Sequence, residues 1–160
     1  MDIDYLYKLL ELSKITLIGY NYTNEHINDE IISKLSCIKI DTLYELSTEI
    51  LRDIKINSLL NNTKIPEYII VDFDCIFLKE NIDTKYHDFE NYNKYFKYLI
   101  GNISNKIGNI KIIIISSIQP SLESINFSCG KSILYLSDVA IIINEESQLF
   151  LIKNRYYNLH

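Results

Sequence analysis

The sequence is poor in glycine, proline and cysteine, and it contains no tryptophan. Four Gly and two Pro in 160 residues leave little material for flexible linkers or for the glycine-rich loops that bind phosphates. The three Cys are widely spaced, without a C-x-x-C pair, which argues against a zinc site and against a disulfide framework. This usage favours a reducing, intracellular compartment: the cytoplasm, the nucleus or a site of viral replication.

Signals for a membrane are also missing. The N-terminus lacks the basic-then-apolar pattern of a signal peptide, and no apolar run reaches the length that spans a bilayer. We therefore expect no membrane partner. The formal net charge of −5 excludes a uniformly basic surface for nucleic acid, although it leaves a local basic patch open.

Length and composition predict one globular domain over residues 1–160, since 48% of the residues are hydrophobic and 23% are charged. Apolar spacing predicts an N-terminal helix within residues 1–13, followed by a core over residues 14–156 in which strands alternate with helices. The predicted strands are Lys14–Gly19, Cys37–Ile40, Tyr68–Phe73, Ile110–Ile115, Ser132–Leu136, Val139–Asn144 and Gln148–Lys153, and the later predicted helices are Glu30–Leu35, Leu43–Ile54 and Phe89–Ile107. This alternation is typical of an α/β fold with a mainly parallel central sheet and an antiparallel finish.

Asp72 ends the most apolar of these strands. The run from Tyr68 to Val71 does not alternate with polar residues, which predicts a strand buried on both faces. An Asp at the carboxyl end of such a strand lies at the rim where open α/β sheets bind ligands. In nucleotide-hydrolysing proteins that Asp holds magnesium. The alternative is that Asp72 only ends the strand and caps the next turn.

A phosphate-binding loop is expected after Gly19 if the chain binds nucleotides, because this glycine follows a strand. The pattern G-x-x-x-x-G-K-[ST] requires Gly, Lys and a hydroxyl residue where the chain has Asn24, Glu25 and His26. Glu25 would repel phosphate, so the segment has the position of a phosphate loop without its chemistry. The sequence around Gly130 also fails, because a strand rather than a helix is predicted to follow it.

The C-terminal third of the chain resembles the end of the RecA-like ATPase core, in its DnaB-like and RadA-like branches. Ser137-Asp138 precedes a strand, and a short hairpin then leads to Lys153-Asn154-Arg155. In that family two such cations reach across a subunit interface toward the phosphates of a neighbour's nucleotide. The resemblance also places Gln119 where a polar residue senses phosphate or DNA, and Asp72 at the magnesium-binding position. It covers residues 14–156 and implies a three-layer fold.

Several departures from the family predict that hydrolysis is lost. The phosphate loop lacks its Lys and its hydroxyl, and Asp41 is the nearest carboxylate to the expected catalytic Glu. We therefore predict no catalytic residue and no cofactor. The resemblance leaves a remnant nucleotide site at Gly19, Asn24, Glu25, His26, Asp72 and Gln119, with Lys153 and Arg155 facing a partner or a phosphate.

The function expected from this resemblance is that of a non-catalytic RecA-like domain. Such a pseudo-ATPase would be an accessory or structural subunit in DNA replication, recombination or repair, or part of a viral assembly. Its expected partner is a protein, such as a RecA-like subunit or a replication or recombination complex, with nucleic acid as a further candidate. Two alternatives stay open: an ATPase with a non-standard phosphate loop, in which Asp72 holds the magnesium of Mg-ATP, and a protein-interaction domain of unrelated α/β fold.

Overall fold

A computed structural model of the chain describes residues 3–20, 32–41, 46, 49–79, 86–106, 108–120, 125–144, 146 and 148–156. The α-helices are α1 (Ile3–Leu12), α2 (Glu49–Asn61), α3 (Phe73–Lys79), α4 (Tyr86–Lys106) and α5 (Lys131–Leu136), with a short 3-10 helix at Ile32–Lys34. The strands are β1 (Ile15–Tyr20), β2 (Cys37–Ile40), β3 (Tyr68–Asp72), β4 (Lys111–Pro120), β5 (Ile125–Phe127), β6 (Val139–Ile143) and β7 (Leu149–Asn154).

The strands form one mixed sheet in the order β2-β3-β4-β1-β6-β7, with β5 paired to β4 outside this path. Strands β1, β2, β3, β4 and β6 are parallel, whereas β7 is antiparallel to β6 and β5 is antiparallel to β4. The predicted α/β class, the mainly parallel sheet and the antiparallel finish are confirmed. Strand β4 lies between β1 and β3, so Gly19 and Asp72 are on strands that do not touch.

Helices cover the sheet on both faces, which gives three layers. On one face, α1 packs Leu6, Leu9 and Leu10 against the sheet, as expected from helical spacing. The other face is covered by apolar side chains of α2, α3, α4 and α5. Burial on both sides explains the continuous apolar runs Tyr68–Val71 in β3 and Ile112–Ile115 in β4. Ile69, Val71, Ile113 and Ile115 are at most 1% exposed, and for Ile69 and Val71 this confirms the burial predicted for the run Tyr68–Val71.

The predicted strand Ser132–Leu136 is wrong, because this segment belongs to helix α5. Gly130 takes a positive φ of 93° just before the helix, and a glycine adopts that conformation without strain. Ser137 ends the helix with two hydrogen bonds to the carbonyl of Ile133, one from its backbone N–H at 3.0 Å and one from its hydroxyl at 2.7 Å. A five-residue apolar segment does not distinguish a strand from a buried helical turn.

Two further differences from the prediction concern β3 and β5. Strand β3 ends at Asp72, and Phe73 is already the first residue of α3. The segment after Pro120, predicted as a loop, contains β5, which pairs with the extended end of β4. Both differences add structure at the carboxyl ends of β3 and β4.

Candidate functional site at the carboxyl edge of the sheet

The carboxyl ends of β1, β3 and β4 meet at one edge of the sheet, which we call the carboxyl edge. The parallel register pairs Tyr20 with Ser117 and Gly19 with Ser116, and it pairs Asp72 with Ile115. Ligands of open α/β sheets bind outside this edge. Polar side chains from β1, β4 and the start of α3 therefore converge where a ligand site is expected.

Asp72 is buried at this edge and caps helix α3. Its Oδ1 accepts a hydrogen bond from the backbone N–H of Cys75 at 3.2 Å, which is the geometry of an N-cap residue and the third residue of the helix. Its Oδ2 lies 3.5 Å from Nζ of Lys39 on β2. Both oxygens of Asp72 thus have intramolecular partners. A magnesium ion on Oδ2 would have to compete with the Lys39 ammonium group.

A hydrogen-bonded group that we call the Asp74 network lies beside Asp72. Asp74 Oδ2 accepts hydrogen bonds from the hydroxyl of Tyr20 at 2.6 Å and from the backbone N–H of Ser117 at 2.9 Å. Asp74 Oδ1 accepts the hydroxyl of Ser117 at 3.1 Å, and the hydroxyls of Ser117 and Ser128 are 2.6 Å apart. One carboxylate therefore joins β1, α3, β4 and the turn after β5.

Burial dominates the electrostatics of the Asp74 network. It raises the pKa of Asp74 above the usual value for a carboxyl group, although the hydrogen bonds from Tyr20 and Ser117 oppose the shift. Burial also raises the pKa of Tyr20, and the neighbouring Asp74 carboxylate raises it further. The Tyr20 phenol consequently remains a donor across the physiological range, and Asp74 binds a proton more readily than an exposed carboxylate does.

A second set of hydrogen bonds holds the backbone around Ser117 in place. The hydroxyl of Ser116 accepts the backbone N–H of Cys129 at 3.0 Å and donates to the carbonyl of Ser117 at 3.1 Å. The backbone N–H of Ser128 donates to the same carbonyl at 2.8 Å. Burial raises the pKa of the Cys129 thiol to about 12, so this cysteine is a core residue and not a thiolate nucleophile.

Gly19 is covered by apolar side chains at the same edge. A Cβ atom added to it would lie 2.5 Å from a ring carbon of Phe127 and 2.6 Å from Cγ2 of Ile118. Phe127 and Ile118 are themselves 6% and 7% exposed. Glycine is therefore required here for close packing within a strand, and Gly19 is not the start of a loop as the phosphate-loop pattern would need.

Lys153 and Arg155 lie at the opposite edge. Because β7 runs antiparallel to β6, its last residues are beside the amino ends of the parallel strands. Lys153 Nζ donates to the carbonyls of Leu134 and Tyr135, at 3.0 Å and 2.9 Å, at the end of helix α5. Arg155 pairs with Asp138.

Asp138 has a structural role of its own. Its Oδ2 accepts the backbone N–H groups of Lys14 at 2.9 Å and Ile15 at 3.2 Å, where β1 begins. The sheet thus separates the Lys153 and Arg155 side chains from Asp72, and the two cations cannot join the carboxyl edge of their own chain.

The structure describes little or nothing of the other predicted site residues. Asn24, Glu25 and His26 lie outside the described residues. The backbone of Gln119 is in β4 opposite Asn126. The sequence analysis missed Tyr20, Ser117 and Ser128, which form the network with Asp74. The available signal was the Asp-Phe-Asp spacing, which places Asp74 on the first turn of the helix that Asp72 caps.

The chemistry of the Asp74 network is that of a satisfied carboxylate. Its members are one carboxylate, one phenol and two serine hydroxyls, and among the described residues no imidazole or amine hydrogen-bonds to them to activate a hydroxyl. In the described ranges, no three His, Cys, Asp or Glu residues are grouped as metal ligands would be. Likewise, no described helix is long and apolar enough to cross a membrane.

No protein-family model matches the chain, and no curated sequence is significantly similar to it.

Proposed function

We propose that the chain is a non-catalytic RecA-like domain that acts as an accessory or structural subunit of a complex for DNA replication, recombination or repair. The observation that carries the non-catalytic part is the contact of Gly19 with Phe127 and Ile118. A phosphate loop wraps an anion with free backbone N–H groups around its glycines. At Gly19 the ring of Phe127 occupies the place of a side chain, and the glycine itself lies in β1 between β4 and β6.

The polar groups of the carboxyl edge support the same proposal. Asp72 uses one oxygen to cap α3 and the other to pair with Lys39. Asp74 uses both oxygens on Tyr20 and Ser117. Groups that bind a nucleotide must exchange such partners for phosphate, magnesium or water, at the cost of the internal hydrogen bonds. These internal contacts therefore favour a structural role for the carboxyl edge over nucleotide binding.

The position of Lys153 and Arg155 supports a role in assembly. At the amino edge these cations lie away from the carboxyl edge of their own chain, and the Arg155 side chain is 54% exposed although it pairs with Asp138. Arg–carboxylate pairs at an interface contribute to partner choice and orientation. The proposed partner at this edge is a protein that has either an acidic surface or an intact nucleotide site.

Calorimetric titration with Mg-ATP, together with a phosphate-release assay, tests the proposal. We expect no heat of binding at millimolar nucleotide and no release above buffer. Binding or hydrolysis that disappears in Asp72→Asn would instead favour the alternative ATPase with a non-standard phosphate loop. Lys64→Gln is a suitable control, because Lys64 is exposed and lies before β3.

A further inference from the structure

The described surface of helix α4, from Asn93 to Lys106, is basic in a chain that is acidic overall. The net charge of the chain is −5, yet the described side chains of α4, from Asn93 to Lys106, include three exposed lysines and no acidic residue. The acidic residues of this helix, Asp88 and Glu90, belong to its first two turns. Such segregation of charge creates a positive surface that the composition as a whole hides.

One stripe of α4 forms a wall of a groove about 400 Å³ in volume. The stripe consists of Lys94, Lys97, Tyr98, Gly101, Asn102 and Asn105, which follow one another at helical spacing. Leu136, the last residue of α5, lines the groove as well. The buried stripe of α4 (Phe96, Leu99, Ile100 and Ile103) packs into the core. The groove therefore lies on a helix that is packed into the core, and it is lined mainly by cationic, aromatic and amide groups.

Two tyrosine rings accompany the lysines. Tyr98 is 62% exposed in the groove, and Tyr135, which precedes Leu136 in α5, is 71% exposed. Lys131 is exposed on α5, and Lys153 contacts the backbone of Tyr135. None of the described side chains of α5 or β7 is acidic. The described charged side chains of α5 and β7 are therefore all positive.

We propose that this groove between α4 and α5, the α4–α5 groove, binds single-stranded nucleic acid. Proteins that bind single strands combine a positive groove along the phosphate backbone with aromatic side chains on which bases stack. Lys94 and Lys97 supply the charge, and Tyr98 supplies an exposed ring in the groove. Tyr135 is a second exposed ring, on the helix that contributes Leu136 to the groove. Asn102 and Asn105 offer hydrogen bonds to bases or sugars. Unpaired bases are required for stacking, so a duplex fits this surface less well.

The proposal is independent of the function proposed for the carboxyl edge. It rests on the side chains of α4 and α5, whereas the non-catalytic proposal rests on Gly19 and the Asp74 network. Single-strand binding tests the groove, and nucleotide titration tests the non-catalytic proposal. Either can fail without the other.

Fluorescence anisotropy with labelled 20-mers of oligo(dT) and oligo(U) and with a 20-base-pair duplex, at low and moderate salt, tests the groove. The diagnostic variant is Lys94→Glu/Lys97→Glu. The matched control is Arg52→Glu/Lys55→Glu, an exposed pair of cations at the same spacing on α2. Both double variants change the net charge by the same amount, so the comparison isolates the position of the charge.

We expect the wild type to bind the single strands more tightly than the duplex. The α4 variant should lose at least tenfold in affinity, and the α2 variant less than threefold. The slope of log affinity against log salt should fall by about 1.4 in the α4 variant, because each lost phosphate contact on a single strand removes about 0.7. Comparison of oligo(dT) with oligo(U) shows which sugar the groove prefers, and either preference supports the proposal.

Two further variants test stacking and access. Tyr98→Ala should weaken single-strand binding about fivefold or more, because it removes a stacking surface. Gly101→Gln should also weaken it, because a Cβ at this position meets open space and the added side chain enters the groove without disturbing the core. Circular dichroism confirms folding of each variant.

Three results would overturn the proposal. The first is a failure of the wild type to bind any single strand at low salt. The second is an equal loss in the α2 and α4 double variants. The third is duplex binding at least as tight as single-strand binding.

Discussion

The carboxyl edge and the α4–α5 groove use similar residue types in opposite ways. At the carboxyl edge, the Tyr20 hydroxyl is bonded to Asp74, and Gly19 is covered by an aromatic ring. In the groove, Tyr98 is 62% exposed, and the position of Gly101 faces open space. The expected ligand site of an α/β sheet is therefore closed by its own side chains, while a helix surface away from it presents free rings and cations.

This difference indicates where binding energy is available. Polar groups that already bond to one another must break those bonds before they bind a ligand, whereas exposed lysines and tyrosines exchange only water. The convergence of polar residues at a sheet edge consequently does not by itself indicate a ligand site. Whether such an edge can bind a ligand depends on the hydrogen bonds that its oxygen atoms already accept.

The largest expected difference between the two regions comes from truncation of their aromatic rings. Phe127→Ala should reduce the free energy of unfolding by about 3–5 kcal/mol, because it empties a buried space above Gly19. Tyr98→Ala should change it by less than about 0.5 kcal/mol, since its ring is exposed. Urea denaturation of both variants measures the contrast. A similar loss in the two would mean that the groove is as closely packed as the edge.

Addition of a methyl group to the closed edge should give the next largest effect. Gly19→Ala should destabilise the fold by about 1–3 kcal/mol, because its Cβ would overlap the side chains of Phe127 and Ile118. The same denaturation experiment applies. A neutral result would show that the ring of Phe127 moves freely and that the edge can open.

The pH dependence of Asp74 should give a smaller effect. Asp74→Asn replaces one acceptor oxygen by a donor, and we expect a loss of about 1 kcal/mol at pH 7. The folded pKa of Asp74 is raised above its unfolded value, so protonation favours the folded state. The wild type should therefore gain stability over the variant as pH falls from 7 toward about 4. A difference that is constant with pH, or that shrinks on acidification, would contradict the raised pKa.

The smallest expected effect has the opposite sign. Gly101→Ala should stabilise the protein by about 0.5–1 kcal/mol, because alanine favours a helix interior over glycine and its Cβ meets open space. Thermal denaturation should show a small rise in midpoint. Paired with Gly19→Ala, the same substitution then distinguishes the open groove from the closed edge by sign alone.

Much of the scaffold could be predicted from residue patterns. The apolar run of β3 required burial on both faces, which demands helices on both sides of a parallel sheet. The leucines of α1 recur at helical spacing and pack against that sheet. The segment Ser132–Leu136 could not be assigned this way, because five residues satisfy either period and the turn at Gly130 decides between them.

The candidate site could be predicted only in outline. Asp72 was correctly placed at the end of a buried strand, and its capping contact was one of the two alternatives that the pattern allowed. The partners of Asp74 come from residues 43 and 54 positions away in the chain. No spacing rule connects residues so distant, because their contact depends on which strands are neighbours.

The sequence by itself determined the α/β class, the buried strands and the net negative charge, because each follows from composition or from local periodicity. The tertiary structure alone decided that the carboxyl edge is closed and that Lys153 and Arg155 lie at the opposite edge. It also decided that Lys94, Lys97 and Tyr98 of α4 line one groove with Leu136, the last residue of α5. The physical reason is that strand order and helix packing join residues far apart in the chain, and a hydrogen bond or a charged surface exists only once they are joined.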